Sequence, residues 1–136
     1  MISVGITGLA RETVTPEKTA EAVGSGTHPV YATPCMAALM ERAAYTSVAP
    51  YLEEGQASVG TGLELRHLAA TPVGETVEAV SRVTEVDGRK VTFLVTVSDG
   101  AGVIGEATHT RAVIDTARFL AGAENRAARF HEEVKK

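Results

Sequence analysis

The sequence predicts an α+β protein in which an antiparallel sheet packs around one long buried helix. Three observations carry that prediction. Residues 33–51, TPCMAALMERAAYTSVAPY, are apolar around most of a helix's circumference. Residues 57–114 are rich in strand-like alternation. The turns between those strands are short, and Asp87-Gly88 is a two-residue hairpin signal, which suits antiparallel pairing and not parallel crossovers.

Each element has its own local reason. Residues 2–15 hold one or two short strands, interrupted by Gly5 and Gly8. Thr15-Pro16-Glu17 reads as a helix start, so TPEKTAEAVGSG is expected to be a short helix or turn that ends at Gly24-Ser25-Gly26. His28-Pro29-Val30-Tyr31 is extended and leads into the main helix. There Thr33 is placed as N-cap, its hydroxyl accepting from a first-turn N–H, and Pro34 takes the first helical position. The helix runs to about Ala49, and Gly55 supplies the turn that follows. Strands are predicted at 57–69, 75–86, 90–98 and 103–114. In the first, Val59, Thr61, Leu63, Leu65 and His67 share one parity; Ser58, Gly60, Gly62, Glu64 and Arg66 share the other. The charged, alanine-rich tail, 117–136, is expected to be helical. One domain over 1–136 results, a helix wrapped by a sheet in the hotdog arrangement. Such a subunit leaves one sheet edge open, which predicts a homodimer or a dimer of dimers.

Composition narrows the function classes. At 136 residues and 44% hydrophobic, the chain is long enough for one proper core. A net charge of −4 argues against general nucleic-acid binding. No apolar run reaches transmembrane length, and MISVGITGLARE lacks the pattern of a signal peptide, so a cytoplasmic protein is expected. The single cysteine excludes an internal disulfide, and the histidines at 28, 67, 109 and 131 form no ligand-spaced pair, so no metal is expected.

Glu41 is the residue that asks for a function. Its helical neighbours are Ala37, Ala38, Ala44 and Tyr45, so no cation is available to it from its own face. Either it sits at the helix edge and pairs with something on a neighbouring strand, or it lies in a dry cleft suited to proton transfer. Cys35, in the first helical turn, could be a nucleophile, but no histidine is set beside it and small buried cysteines are common.

VYATPCMAALMERA, GQASVGTGLELRHLAATPVGETV and DGAGVIGEATHTRAVI together resemble the fluoroacetyl-CoA thioesterase group of the hotdog superfamily, over residues 30–114. The resemblance implies hydrolysis of a small acyl-CoA, with no cofactor beyond the coenzyme A that arrives as part of the substrate. It implies that Thr33, Glu41 and His67 are catalytic and that Gly60 lies beside the thioester. Arg111, in THTR, is expected to meet a phosphate or a carboxylate, and His109 to support the sheet or dimer. Without the resemblance, Thr33 is a cap, Gly60 a bulge or close contact, and His67 a hydrogen-bonded core residue. The sequence departs from the family ahead of the helix. Residues 22–28, AVGSGTH, carry no aromatic lid, and Tyr31, the nearest aromatic residue, is placed among the substrate contacts. A housekeeping short-chain or aromatic acyl-CoA thioesterase is therefore expected, not one selective for fluorine. The rival readings are a non-catalytic acyl-CoA-binding hotdog protein and a hotdog hydratase or dehydratase.

Overall fold

The computed structural model describes residues 1–135. Strands β1 (Thr7–Thr13), β2 (Gln56–His67), β3 (Thr76–Asp87), β4 (Lys90–Asp99) and β5 (Gly102–Asp115) form one antiparallel sheet, ordered β1-β3-β4-β5-β2. Helix α1 (Ala20–Val23) is a single turn, α2 (Thr33–Val48) is the main helix, and α3 (Thr116–Lys135) extends from the end of β5. Lys136, the last residue of the expected helical tail, lies outside the described residues.

Period-two burial builds the sheet's inner face. Val77, Ala79, Ser81 and Val83 of β3, then Val91, Phe93, Val95 and Val97 of β4, point inward in step. Against them α2 lays Met36, Leu39, Met40, Ala43, Ala44 and Val48, the three- and four-residue spacing of one helical face. Gly8 lets β1 approach the helix closely: a Cβ there would lie 2.2 Å from the Ala43 carbonyl oxygen.

Two expectations need correction. Helix α2 is not buried all round, since Ala38, Arg42, Tyr45 and Thr46 are exposed along one stripe in the single chain. Thr33 is not the N-cap either. The cap position is Ala32, with no side-chain capping bond, and Thr33 is already helical with its hydroxyl turned to another strand.

The parity of β2 also differs from the expected one. The register with β5 shifts between Gly60 and Gly62. Below the shift Gly60 is opposite inward-facing Arg111; above it Leu63 is opposite inward-facing His109. The bulge holds one extra residue, so Ser58, Gly60, Leu63, Leu65 and His67 all face the helix.

Candidate active site

Two groups of polar side chains lie along the seam between α2 and β2. At the first turn of α2, Thr33 Oγ1 and His67 Nδ1 share a 2.7 Å hydrogen bond. The other ring nitrogen, Nε2, is buried with no partner among the described residues. Burial pushes the His67 pKa down, so its neutral form dominates at neutral pH. The pair borders an open depression of about 330 Å³ lined also by Val30, Leu68, Ala69 and Ala70. Pro34 has no N–H, and the amides of Thr33 and Cys35 find no acceptor among the described residues, as expected for a first helical turn.

The second group surrounds Arg111, which is 6% exposed. Its Nε–H donates to Ser58 Oγ and its Nη2–H to the Ser58 carbonyl, both at 2.9 Å. Nη1 donates to Glu41 Oε2 at 3.2 Å and to His109 Nε2 at 3.1 Å. The guanidinium carbon also lies 5.7 Å from the centre of the Tyr45 ring. Four of the five N–H donors of a guanidinium are thus engaged. His109 in turn donates from Nδ1 to the Gly62 carbonyl at 2.8 Å, inside the bulge, and stacks on Phe93. These partners fix its tautomer, because a carbonyl can only accept. Burial pushes the His109 pKa down, and Arg111 adds to the effect.

Glu41 therefore has a cation, but from β5 and not from its own helix. Its side chain is 43% exposed while Arg111 is enclosed, so in the single chain the helix-edge reading describes it and the dry cleft does not. Gly60 sits directly under it: a Cβ there would lie 2.6 Å from Glu41 Oε2. The missing side chain lets the carboxylate lie against the strand backbone.

Thr33 and His67 are brought together, and so are Glu41 and Gly60, but the two pairs stand apart. Eight residues of α2 separate Thr33 from Glu41, a rise of about 12 Å, and no hydrogen bond joins the pairs. Arg111, expected to meet a phosphate or a carboxylate, meets the carboxylate of Glu41 and is closed to substrate in this state. Tyr31 is a correction. It is 1% exposed, part of the core, and its hydroxyl donates to Glu12 at 2.5 Å, so it lines no cleft. Cys35 is half-buried with its pKa pushed up by burial, which keeps the thiol protonated. Sequence reasoning missed Ser58 and the linkage of His109 to Arg111. The available signal was a histidine and an arginine two residues apart on the buried face of β5.

A family model described as fluoroacetyl-CoA-specific thioesterase matches residues 14–117. The fluoroacetyl-CoA thioesterase of Streptantibioticus cattleyicolor is 45% identical over 92 residues, which span 68% of this chain and 66% of that protein. Among solved structures, a point mutant of the fluoroacetyl-CoA thioesterase in complex with acetyl-CoA superposes with a TM-score of 0.86 at 35% identity, over 92% of this chain and 98% of that one. A Thermus thermophilus hypothetical protein, a thioesterase superfamily member, superposes with a TM-score of 0.90 at 31% identity, over 97% of this chain and 98% of that one.

Proposed function

This chain belongs to the fluoroacetyl-CoA-specific thioesterase family, and from that premise we propose that it hydrolyses a small acyl-CoA to the free acid and coenzyme A. The observation that carries the proposal is the Glu41 carboxylate, held by buried Arg111 against the bare backbone of Gly60. A thioester carbonyl brought to the open side of Glu41, beside Gly60, meets an aimed carboxylate, which acts as base toward water or attacks the carbonyl itself. His67, neutral and oriented by Thr33, relays the proton to the departing thiolate. Free first-turn amides of α2 suit the developing oxyanion. The reaction consumes water and uses no resident cofactor. The protein works in the cytoplasm; among the described residues no helix is long and apolar enough to cross a membrane.

The active unit is a homodimer, alone or within a dimer of dimers. Strand β2 pairs only with β5 among the described residues, which leaves a 12-residue strand with one bare edge. Antiparallel pairing of two β2 edges about a two-fold at Glu64, with Thr61 taken up as the extra residue of the bulge, sets Gly60 opposite the partner subunit's His67. Glu41 of one chain and the Thr33–His67 pair of the other then share one cleft, which two-fold symmetry makes twice. The second subunit also supplies the exclusion of water that Glu41 lacks in the single chain.

The test offers a panel of acyl-CoAs and follows release of free thiol. Glu41→Gln keeps the shape and removes the base, so kcat should fall about a hundredfold or more. Incubation with enoyl- and hydroxyacyl-CoA, followed by absorbance of the double bond, separates hydrolysis from hydration. A folded Glu41→Gln protein that hydrolyses at the wild-type rate would return the site to a binding role.

A further inference from the structure

Helix α3 leaves the sheet at Thr116 and meets the rest of the chain chiefly near its root on β5. Residues 117–134 are all exposed. Among them Phe119, Leu120, Phe130 and Val134 are 45%, 54%, 61% and 67% exposed, large apolar side chains that a water-facing helix does not need. They are not scattered. Leu120, Ala123, Ala127, Phe130 and Val134 recur at alternating three- and four-residue intervals, the apolar seam of a two-stranded coiled coil, with Phe119 on its border. Helices in proteins draw most of their stability from packing an amphipathic face, and the apolar stripe of this 20-residue helix calls for a partner.

We propose that α3 packs antiparallel against α3 of a second copy of this chain, about a two-fold axis near residues 128 and 129. In that register Ala127 lies opposite Phe130 of the partner subunit, and Ala123 opposite Val134 of the partner subunit, so a large side chain meets a small one in each of these layers, while Leu120 lies outside the overlap. On one flank Arg126 lies opposite Glu133 of the partner subunit. On the other, Glu124 lies opposite His131 of the partner subunit. Size and charge agree on this one register. Sliding by a heptad sets alanine against alanine in the middle, Arg126 against its own copy and Glu124 against its own copy. Parallel pairing sets Phe130 against itself and Arg126 near a histidine. Because each contact is repeated by the symmetry axis, the surface is self-complementary and the pair of helices closes on itself. None of these residues belongs to the site around Glu41 or to the β2 edge, so this contact is a second interface and is independent of the hydrolytic reading.

Sedimentation equilibrium on the full-length chain and four variants tests it. Arg126→Glu places acid against acid on one flank and should weaken self-association at least about tenfold, since like charges set opposite each other in an interface are costly. Glu133→Arg should do the same. The double variant, Arg126→Glu with Glu133→Arg, restores the opposite pairing and should return association to roughly the wild-type strength. Phe130→Asp, with circular dichroism to verify the fold, should abolish the α3-dependent step. Unchanged association in Phe130→Asp would overturn the proposal, as would a double variant that associates no better than either single one. Either result would assign the stripe to another occupant.

Discussion

His109 donates through Nδ1 to Gly62 and accepts at Nε2 from Arg111, so a second proton on the ring would set two cations face to face in the core. The groups packed around it are Phe93 of β4, the Gly62 carbonyl of β2, Arg111 of β5 and, through Arg111, Glu41 and Tyr45 of α2. The ring thus positions the guanidinium that aims Glu41. His109→Gln can keep one donor and one acceptor without titrating, and should retain much of the activity. His109→Leu leaves the Gly62 carbonyl and an Arg111 N–H unpaired, at roughly 1–3 kcal/mol each, and should lower kcat more than it changes KM. A linkage follows. Burial lowers the folded pKa of both His109 and His67, while an unfolded imidazole titrates near about 6.5. Below that value the unfolded chain binds more protons, so this contribution to stability is full above it and is lost as pH falls through the folded values. Thermal unfolding across this range should show a falling Tm toward acid, with a shallower fall in His109→Gln. Identical profiles for the two proteins would contradict this account.

Among the elements, β2 contributes most to the site, and two glycines show how differently a missing Cβ can act. At Gly60 a methyl group would meet the tip of Glu41, the far end of a flexible side chain. Gly60→Ala should therefore leave Tm almost unchanged while displacing the carboxylate from its place against the strand and lowering kcat about tenfold or more. At Gly8 the obstacle is the Ala43 carbonyl and, at 2.6 Å, the Ser47 Cβ, neither of which can swing aside. Gly8→Ala should destabilise by about 1–3 kcal/mol, measurable as a shifted denaturant midpoint, with the folded fraction still active. The segment ahead of α2 has a consequence for specificity. It carries α1, the turn at Gly24 and no aromatic side chain over residues 22–28. Comparing kcat/KM for fluoroacetyl-CoA and acetyl-CoA should give a ratio below about a hundredfold, or some 2.7 kcal/mol. A larger preference would mean that another part of the chain selects for fluorine.

For the whole molecule, assembly and chemistry should be linked. The carboxylate and the threonine–histidine pair stand apart along one chain, and a second β2 edge is the simplest means of setting them in one cleft. Specific activity should therefore fall on dilution below the dimer's dissociation range, in step with the mass from sedimentation. A monomer that keeps full activity would rule out the shared cleft. The α3 contact makes a different demand. Variants of Arg126 or Phe130 should change the mass of the assembly and leave hydrolysis per chain in place.

Periodicity and turn chemistry are local, and on these the sequence was enough. The Thr33-Pro34 start and the apolar run after it placed the main helix from Thr33 to about Ala49, against Thr33–Val48 observed, and alternation with Asp87-Gly88 placed β3 and β4 within a residue of their observed limits. Resemblance then named Thr33, Glu41, His67 and Gly60, of which two pairs do meet. What only the tertiary structure decided depends on partners far apart in the chain. The Thr33 hydroxyl looked free to cap its helix until His67, 34 residues on, took it. Glu41 looked cationless because Arg111 is 70 residues away. Tyr31 looked available to substrate until the core closed over it. The bulge at Gly60 and Gly62 reversed half of a strand's parity, because one extra residue in a ladder can be counted only against the neighbouring strand.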